Sequence, residues 1–516
     1  MGPDSKHLEV VQVSKSGRGR PFNVKPVALR IAADFLTPVS AFLRLRRAAV
    51  PAFLLESVEQ GQRGARYSYL GVEPFETLKV QGGVLQVGAQ GATSVIPGDP
   101  LRALTERLGR YRAARAPELP PFPGGAVGYV GFGAVRYLEP VLAPAIAAAP
   151  MDVPDIFLMM FSSIVCFDHQ TAQAYLIVNA LLDQAADAEA QAEKAAAALL
   201  ERLRHPCPEE QALLQPLSPL ALSAQASAVP ELGAERFCAA VQTIKGHIRR
   251  GDIFQCVLSE RFRLPVRTDP LAIYRALRHE SPTPYQFYLQ DEQQVLLGAS
   301  PELLVQVVGS HVETHPIAGT RPRGATVAQD AQRERELLRS AKERAEHLML
   351  VDLGRNDLGR VCHPGSVAVR ELMQVQRFSH VMHLVSAVEG RLARGRTALD
   401  ALWACFPAGT LSGAPKVRAI EILSQLEGSG RPCYGGAVVR AGFDGDLTAC
   451  ITIRALLVRS GVGHAQAGAG IVADSSPQRE YQEVLHKVAT VRRAVARAEA
   501  MTPGSAVPAP PGSLAR

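Results

Sequence analysis

Three apolar runs near the C-terminus are joined by tight turns, and this pattern restricts the fold more than any other feature of the sequence. The runs cover residues 435–440, 447–458 and 464–467, and the turns contain Asp444-Gly445 and Gly461-Val462. Dipeptides such as Asp-Gly favour short hairpins between antiparallel strands. We therefore expect adjacent antiparallel strands in this part of the chain.

Helical and strand-like patterns also occur along the rest of the chain. Amphipathic or helix-favouring segments predict helices over 235–250, 333–353 and 478–498, and apolar runs predict strands over 53–55, 77–80, 156–167, 253–262, 294–297 and 303–308. The helices and strands do not follow a repeating βαβ order. The sequence predicts a mixed α/β (α+β) fold with much antiparallel sheet.

The clearest internal boundary is a proline-rich segment at 205–231, which contains five prolines and is expected to be a linker. It follows an alanine-rich stretch, 185–204, with strong helix propensity. We expect an N-terminal region at 26–204 and a C-terminal region at 232–501. The ends, 1–25 and 502–516, are rich in Gly, Pro and Ser and are expected to be flexible tails.

Composition excludes several classes of protein. No apolar run among the 516 residues is long enough to span a bilayer, and the N-terminus has no signal-peptide core. The net charge of +7 comes from scattered arginines, and aromatic residues make up only 6%, so nucleic-acid binding is not expected. None of the eight cysteines forms a CxxC pair, which fits reduced thiols and a cytoplasmic location. Nucleotide-binding glycine motifs are absent.

Two helical segments carry paired carboxylates. Glu343 and Glu346 lie three residues apart beside His347, and Glu480 and Glu483 repeat that spacing. Two helices that present such pairs can hold Mg²⁺, which prefers oxygen ligands and keeps some of its water. The alternative is that these charged residues face solvent.

Further residues suggest a site for a small polycarboxylate. Arg454 lies within an apolar run expected to be a strand, where a guanidinium needs a carboxylate from the protein or from a ligand. The AGAG segment at 467–470, expected to follow a strand, can bring backbone N–H groups close to an anion or form an ordinary turn. Tyr434 is either a ligand hydroxyl or a core ring, and Glu302 is either a general acid or a helix-start carboxylate.

Consecutive segments resemble the chorismate-utilising enzymes, in the family's order and over about 430 residues. The segments are LLES (54–57), GDIFQ (251–255), SPTPY (281–285), GASPELL (298–304), PIAGTRPRG (316–324), ERAEHLMLVDLGRNDLGRV (343–361), VMHLVSAVEG (381–390), FPAGTLSGAPKVRAIEI (406–422), CYGGAV (433–438), DLTACITIRA (446–455) and AGAGIVADSSPQREYQE (467–483). The family's fold implies two largely antiparallel sheets packed face to face, with helices outside.

The resemblance also implies a site and a reaction. It assigns Mg²⁺ binding to Glu346 and Glu483 and leaves the roles of Glu343 and Glu480 open. The implied substrate-binding residues are Gly319, Thr320, Tyr434, Arg454, Gly468, Ala469 and Gly470. The implied catalytic residues are Glu302, His383 and Thr410. Ammonia would add at ring carbon 2 of chorismate with loss of the 4-hydroxyl, and loss of pyruvate would then give anthranilate.

Two positions separate the members of the family. Members that add water have a lysine base where this chain has Gln255, and members that aminate carbon 4 have a lysine nucleophile where it has Ala318. Both positions favour the anthranilate-forming members. An aminodeoxyisochorismate or aminodeoxychorismate synthase remains the alternative, and a non-catalytic amino-acid sensor is a remote one.

Regulation and partners follow from the same resemblance. LLES and SPTPY match the tryptophan-binding positions of feedback-inhibited members, which implies an inhibitor site at Ser57, Pro284, Tyr285 and Gln286. Many members have methionine where this chain has Gln286, and if the contact there is through the backbone, the side chain matters little. The alternative is that LLES is only the buried end of a strand. The sequence has no glutaminase motif, so a separate glutamine amidotransferase subunit is the expected source of ammonia.

Overall fold

The computed structural model describes residues 22–57, 66–89, 91–146, 152–212, 224–377 and 381–501. All of the expected C-terminal tail, residues 1–21 of the expected N-terminal tail and residues 213–223 of the expected linker lie outside these ranges.

Twenty-four strands lie in the described residues. In chain order they are β1 (Val24–Ala32), β2 (Ala52–Glu56), β3 (Tyr67–Val72), β4 (Glu76–Gln81), β5 (Val84–Ala89), β6 (Ala92–Ile96), β7 (Gly125–Val130), β8 (Ile156–Phe161), β9 (Ser163–Asp168), β10 (Gln173–Leu181), β11 (Val229–Pro230), β12 (Gln255–Pro265), β13 (Tyr285–Gln290), β14 (Gln294–Ser300), β15 (Leu303–Val308), β16 (His311–Thr314), β17 (Ile317–Pro322), β18 (Ala368–Arg377), β19 (Val381–Arg391), β20 (Gly413–Ala414), β21 (Ala437–Gly442), β22 (Leu447–Ile451), β23 (Ala455–Arg459) and β24 (Val462–Ile471).

Helices connect and cover the strands. They are α1 (Pro38–Leu45), α2 (Pro100–Leu108), α3 (Val135–Leu138), α4 (Ala143–Ile146), α5 (Ala188–Arg204), α6 (Pro208–Ala212), α7 (Gly233–Arg249), α8 (Pro270–Glu280), α9 (Val327–Arg339), α10 (Ala341–Gly359), α11 (Ala398–Cys405), α12 (Lys416–Glu427) and α13 (Pro477–Ala500). Short 3₁₀ turns lie at Phe132–Ala134, Pro140–Leu142 and Gly409–Leu411.

The strands form two twelve-stranded sheets whose strand pairs are antiparallel. The first sheet has the order β1-β10-β9-β3-β2-β13-β14-β23-β24-β12-β11, with β20 beside β12. The second has the order β17-β19-β16-β15-β22-β21-β7-β8-β4-β5-β6, with β18 beside β19. Both sheets take strands from before and after residues 205–231.

Apolar side chains of the two sheets meet in a shared core. This inner cluster contains aromatic rings from both sheets, including Phe53 and Phe287 of the first and Tyr129 and Phe157 of the second. Two larger clusters bury the outer faces of the sheets against helices. The fold is thus two face-packed antiparallel sheets with helices outside, as the family resemblance implied.

The chain passes directly from one sheet to the other at several points, and these crossings correct two predicted strands. The predicted strand 156–167 is two strands, β8 and β9, separated by Ser162 and lying in opposite sheets. The predicted strand 447–458 is likewise β22 and β23, separated by residues 452–454. Polar residues mark each crossing, Ser162-Ser163 at the first and Thr452 with Arg454 at the second, and largely buried apolar strands lie on both sides.

One predicted helix is also divided. The segment 333–353 belongs to two helices, α9 and α10, which meet at Ser340. The hydroxyl of Ser340 accepts a hydrogen bond from the Glu343 amide and so begins a new helix. In the described residues, no helix is long and apolar enough to cross a membrane.

Candidate active site

Two charged residues of the candidate site lie where the chain changes sheets. Glu302 lies between β14 of the first sheet and β15 of the second, and Arg454 lies between β22 of the second and β23 of the first. A crossing interrupts the regular ladder, so it can direct a polar side chain into the space between layers. The sequence placed Glu302 correctly at a strand–loop junction.

Arg454 does not lie within a strand, contrary to the sequence-based expectation. Its backbone has φ = +50°, a left-handed conformation that is costly for a residue with a side chain. Its Nη1 donates to Oγ of Ser281 over 3.4 Å. No carboxylate of the described residues forms an ion pair with Arg454, and burial lowers its pKa. A half-buried guanidinium that pairs with no carboxylate of the described residues is suited to bind a ligand carboxylate.

Glu302 is held as a weak acid. Its side chain is only 8% exposed, and Oγ1 of Thr410 donates to its Oε1 over 2.9 Å. Burial raises the pKa of Glu302 to about 7, although the Thr410 hydrogen bond and the charge of Lys487 act in the opposite direction. A carboxyl that titrates near neutral pH can donate a proton to a leaving group.

His383 faces the chain segment that precedes α9. Its Nδ1 lies 3.0 Å from the carbonyl oxygen of Gly319 and 3.1 Å from Oγ1 of Thr320. Because a carbonyl can only accept, Nδ1 carries the hydrogen, and Nε2 is the basic nitrogen of the neutral ring. Burial lowers the pKa of His383, and the charges of Arg454 and Lys487 lower it further. The ring is therefore neutral near pH 7.

The glycine at 319 is required by its conformation. Gly319 has φ = +69°, and a Cβ there would lie 3.0 Å from Leu337 and 3.1 Å from Glu343. It interrupts the pairing of β17 with β19, where the register shifts between Ala318 and Thr320. This irregularity places Thr320 beside His383.

The AGAG segment lies within β24 and not after it, which corrects the sequence-based placement. Residues 467–470 pair with Val257–Glu260 of β12. A Cβ on Gly468 would lie 2.8 Å from the Tyr434 hydroxyl and 2.8 Å from the Leu258 carbonyl oxygen. A Cβ on Gly470 would meet no atom within 4 Å. Ala469, between them, is fully buried. The bare backbone at Gly468 thus allows Tyr434 to approach the strand.

A buried ionic network supports Tyr434 and the loop of Thr410, and sequence reasoning did not identify it. The carboxylate of Glu427 accepts hydrogen bonds from Arg431 over 2.5 Å and from the Ser259 hydroxyl over 2.7 Å. Arg431 also donates to the Leu411 carbonyl oxygen, over 2.6 Å, and lies over the Tyr434 ring. Its one sequence signal is the i,i+4 spacing of Glu427 and Arg431.

Carboxylates of α10 and α13 face one another. Burial raises the pKa of Glu346, and the charges of Glu343 and Glu483 raise it further. The pKa of Glu480 is raised by burial and by the charge of Glu483. Glu343 differs because its Oε1 pairs with Arg321 over 3.0 Å.

These residues fit a divalent cation that is completed by other ligands. The described residues contain no group of three or more side chains that could hold a metal alone. Glu346 and Glu483, each on a different helix, provide two carboxylates that repel one another, and a dication relieves that repulsion. Mg²⁺ is commonly bound by one or two carboxylates together with water and substrate oxygens.

Lys487 is the residue that connects these groups, and sequence reasoning did not assign it a role. Its Nζ lies 2.8 Å from Oε1 of Glu483 and donates to the Gly468 carbonyl oxygen over 2.8 Å. Its charge also acts on the pKa values of Glu302, Glu346 and His383. The sequence offered one signal for this role of Lys487, its spacing of one helical turn from Glu483.

The four residues of the predicted inhibitor site line one cavity of about 600 Å³. Ser57, Pro284, Tyr285 and Gln286 lie on one side of it, and residues of the second sheet, including Arg440, lie on the other. Its volume is in the range of small-molecule pockets. Pro301, next to Glu302, also lines it, so the cavity and the candidate active site are neighbours.

The fold and the site define an enzyme class: two face-packed antiparallel sheets that present an acid, a neutral histidine, facing carboxylates and an arginine that forms no ion pair within the described residues. The sequence profile of the chorismate binding enzyme family matches residues 50–493. The chain therefore belongs to the chorismate binding enzyme family.

Individual relatives agree with this assignment. Anthranilate synthase component 1 from Streptomyces coelicolor is 44% identical over 494 residues, covering 93% of this chain and 91% of the relative. The protein of the same name from Acetivibrio thermocellus is 40% identical, covering 93% of this chain and 97% of the relative. The crystal structure of anthranilate synthase component I from Streptococcus pneumoniae is 36% identical, with a TM-score of 0.75, covering 93% of this chain and 100% of that one.

A more distant structure shares the fold alone. The menaquinone-specific isochorismate synthase from Escherichia coli is 17% identical, with a TM-score of 0.68 over 92% of this chain and 94% of that one.

The two positions expected to separate the members of the family are both well buried in the present chain. Gln255 begins β12 with 4% exposure, and Ala318 lies on β17 with 9%.

Proposed function

We propose that this protein is the synthase component of an anthranilate synthase, which converts chorismate and ammonia to anthranilate and pyruvate. The observation that carries the proposal is Glu302, an acid with a pKa of about 7, beside a site that contains Arg454, whose guanidinium pairs with no carboxylate of the described residues. Relatives at 40–44% identity over 93% of the chain support the same reaction.

Chorismate is a dianion, and the site offers a partner for each carboxylate. Arg454 and the Tyr434 hydroxyl would bind the enolpyruvyl carboxylate. The ring carboxylate would lie toward Glu346 and Glu483, where bound Mg²⁺ would supply positive charge. Backbone groups at Gly319, Thr320, Gly468, Ala469 and Gly470 would complete the contacts. Holding a dianion in one orientation allows a neutral nucleophile to approach the ring.

Glu302 would protonate the departing 4-hydroxyl while ammonia adds at carbon 2. Thr410 orients its carboxyl through the 2.9 Å hydrogen bond. The product of this step is 2-amino-2-deoxyisochorismate. His383, as a neutral ring whose basic nitrogen is Nε2, would then serve the elimination of pyruvate that aromatises the ring.

The buried residues at the subfamily positions favour this reaction over its relatives. The neutral amide of Gln255 cannot deprotonate water, and the methyl group of Ala318 cannot form a covalent adduct at carbon 4. A synthase that stops at the amino-deoxy product is the second candidate, because it would use the same groups for the first step.

Partners and regulation belong to the same proposal. Ammonia would come from a separate glutamine amidotransferase subunit, since relatives are named as component 1 of their enzyme. Tryptophan would bind in the cavity lined by Ser57, Pro284, Tyr285 and Gln286 and inhibit the enzyme.

The test is turnover by the purified chain with chorismate, Mg²⁺ and excess ammonium. Anthranilate and pyruvate in equal amounts, abolished by EDTA, are the expected products. An amino-deoxy product that retains the enolpyruvyl group would select the second candidate. Isochorismate, or nitrogen at carbon 4, would contradict the roles assigned to Gln255 and Ala318.

A further inference from the structure

We infer that Ser281 is a positioning residue for Arg454 and that it connects this arginine to the strand of the inhibitor cavity. The inference rests on the proposed function for the identity of the two ligands. Ser281 belongs to the SPTPY segment, but neither that resemblance nor the predicted site residues gave it a role in positioning Arg454.

Ser281 is placed to set the direction of the guanidinium. It follows the last residue of α8, is 6% exposed, and donates its backbone N–H to the Leu277 carbonyl oxygen over 2.9 Å. Its Oγ accepts the 3.4 Å hydrogen bond from Nη1 of Arg454. Because no carboxylate of the described residues pairs with Arg454, this hydroxyl is the polar side-chain contact that orients it.

Ser281 is in turn held by Gln286, one of the predicted inhibitor-site residues. Nε2 of Gln286 donates to the Ser281 carbonyl oxygen over 3.3 Å. Along β13, Tyr285 and Phe287 face the core between the sheets, whereas Gln286 points to the opposite face. Its side chain is therefore turned away from the layer that contains the cavity, and its backbone is the part that can contact a ligand there.

A second connection runs through the backbone. Gln286 pairs with Ala299 across β13 and β14, and the Ala299 amide donates to the Arg454 carbonyl oxygen over 3.2 Å. The side chain of Arg454 is thus hydrogen-bonded to the residue that Gln286 holds, and its main chain is hydrogen-bonded to the strand residue opposite Gln286. A shift of β13 changes both attachments together.

Helix α8 reinforces this link through two contacts. In the middle of the helix, Tyr274 donates to Oε2 of Glu56 over 2.7 Å, and Glu56 lines the inhibitor cavity. At its last residue, Glu280 pairs over 2.9 Å with Arg493 of α13, the helix that carries Glu483. The helix that precedes Ser281 thus contacts both an inhibitor-cavity strand and the carboxylate helix.

The consequence is a reciprocal coupling of two ligands. A ligand that moves β13 moves Ser281, turns Arg454 away from the carboxylate position and weakens chorismate binding. By linkage, bound chorismate lowers the affinity for the other ligand by the same factor, ordinarily about 5- to 150-fold. The side chain of Gln286 gives this coupling a polar connection, through its hydrogen bond to the Ser281 carbonyl oxygen.

The experiment compares Ser281→Ala with Ser281→Thr, which keeps the hydroxyl, and with the control Ser424→Ala, whose hydroxyl donates to the Glu421 carbonyl oxygen on α12. Steady-state kinetics give KM and kcat, and calorimetry gives the tryptophan Kd with and without chorismate. For Ser281→Ala we expect KM for chorismate to rise about five- to tenfold while kcat changes less than about twofold, as for loss of one hydrogen bond to a bound group. The tryptophan Kd without chorismate stays within about twofold, and the coupling factor falls toward one.

Three results would overturn the inference: an unchanged KM in Ser281→Ala, an equal defect in Ser281→Thr at equal thermal stability, or a full coupling factor in Ser281→Ala. Calorimetric coupling does not require turnover, so a wild-type chain that binds both ligands but forms no anthranilate would refute the proposed function alone. A wild-type chain that binds no tryptophan would refute the coupling, and the KM comparison would still decide the positioning role.

Discussion

Thr410 Oγ1 donates to Glu302 Oε1 over 2.9 Å, and this bond joins the 3₁₀ turn before α12 to the crossing between β14 and β15. The hydrogen bond favours the carboxylate form of Glu302, whereas burial favours the protonated form and has the larger effect on its pKa. The acid is therefore set by two opposing influences, one of which can be removed by a single substitution.

We expect Thr410→Val to move the alkaline limb of the pH–rate profile to higher pH. Glu302 must carry its proton to act as an acid, so kcat/KM at constant free ammonia should fall as pH rises through about 7 in the wild type. Loss of the hydroxyl removes a stabilising contact of the carboxylate and raises its pKa. Thr410→Ser keeps the hydroxyl and should leave the limb in place. A limb that does not move in Thr410→Val would contradict the role of this bond.

Glu302→Gln should abolish most activity and make the fold more stable above neutral pH. The folded-state pKa of about 7 lies above the ordinary value of 4.5, so the native state keeps a proton that the unfolded chain has released. Stability from this group is present at low pH and is lost as pH rises from about 4.5 through 7. At pH 8 the neutral amide should therefore gain up to about 3 kcal/mol in free energy of unfolding. The measurement is urea unfolding at pH 5 and pH 8, and an equal effect at both would contradict it.

Magnesium dependence should separate the two proposed ligands, Glu346 of α10 and Glu483 of α13, from a neighbouring carboxylate of α10. Glu346→Gln and Glu483→Gln each remove a proposed ligand, so the Mg²⁺ concentration for half-maximal activity should rise by at least about 10- to 100-fold, the cost of losing even an outer-shell partner. Glu343→Gln is the matched control on the same helix, because that carboxylate already pairs with Arg321. Its magnesium requirement should change much less. An equal rise of the half-maximal Mg²⁺ concentration in all three variants would contradict the assignment of Glu346 and Glu483 as the ligands.

The two glycines of the AGAG segment should respond differently to alanine. Gly468→Ala places a methyl group 2.8 Å from the Tyr434 hydroxyl and from the Leu258 carbonyl oxygen, so the strand or the ring must shift. We expect a loss of about 1–3 kcal/mol in stability, as for other overpacking changes, and weaker chorismate binding. Gly470→Ala meets no atom within 4 Å, so its thermal unfolding should resemble that of the wild type. Comparable melting temperatures for the two variants would refute the close approach.

Local sequence determined most elements and the chemistry of the site. Hairpin turns at Asp444-Gly445 and Gly461-Val462 join antiparallel strands as expected, since turn residues act over a few positions. The helix over 478–498 is confirmed as α13. The family motifs predicted Glu302 and Arg454 as site residues, because a motif can be recognised without knowing its surroundings.

Tertiary structure decided where strands change sheets and which groups meet. The run 447–458 predicts a single strand, because Ile451 and Leu456 are both buried, on opposite sides of a crossing that only the stacking of two sheets creates. The contact of Lys487 with the Gly468 carbonyl oxygen, the pairing of Glu427 with Ser259, and the hydrogen bond from Arg454 to Ser281 join distant segments. Such contacts depend on packing between layers, which leaves no periodic signal in either segment.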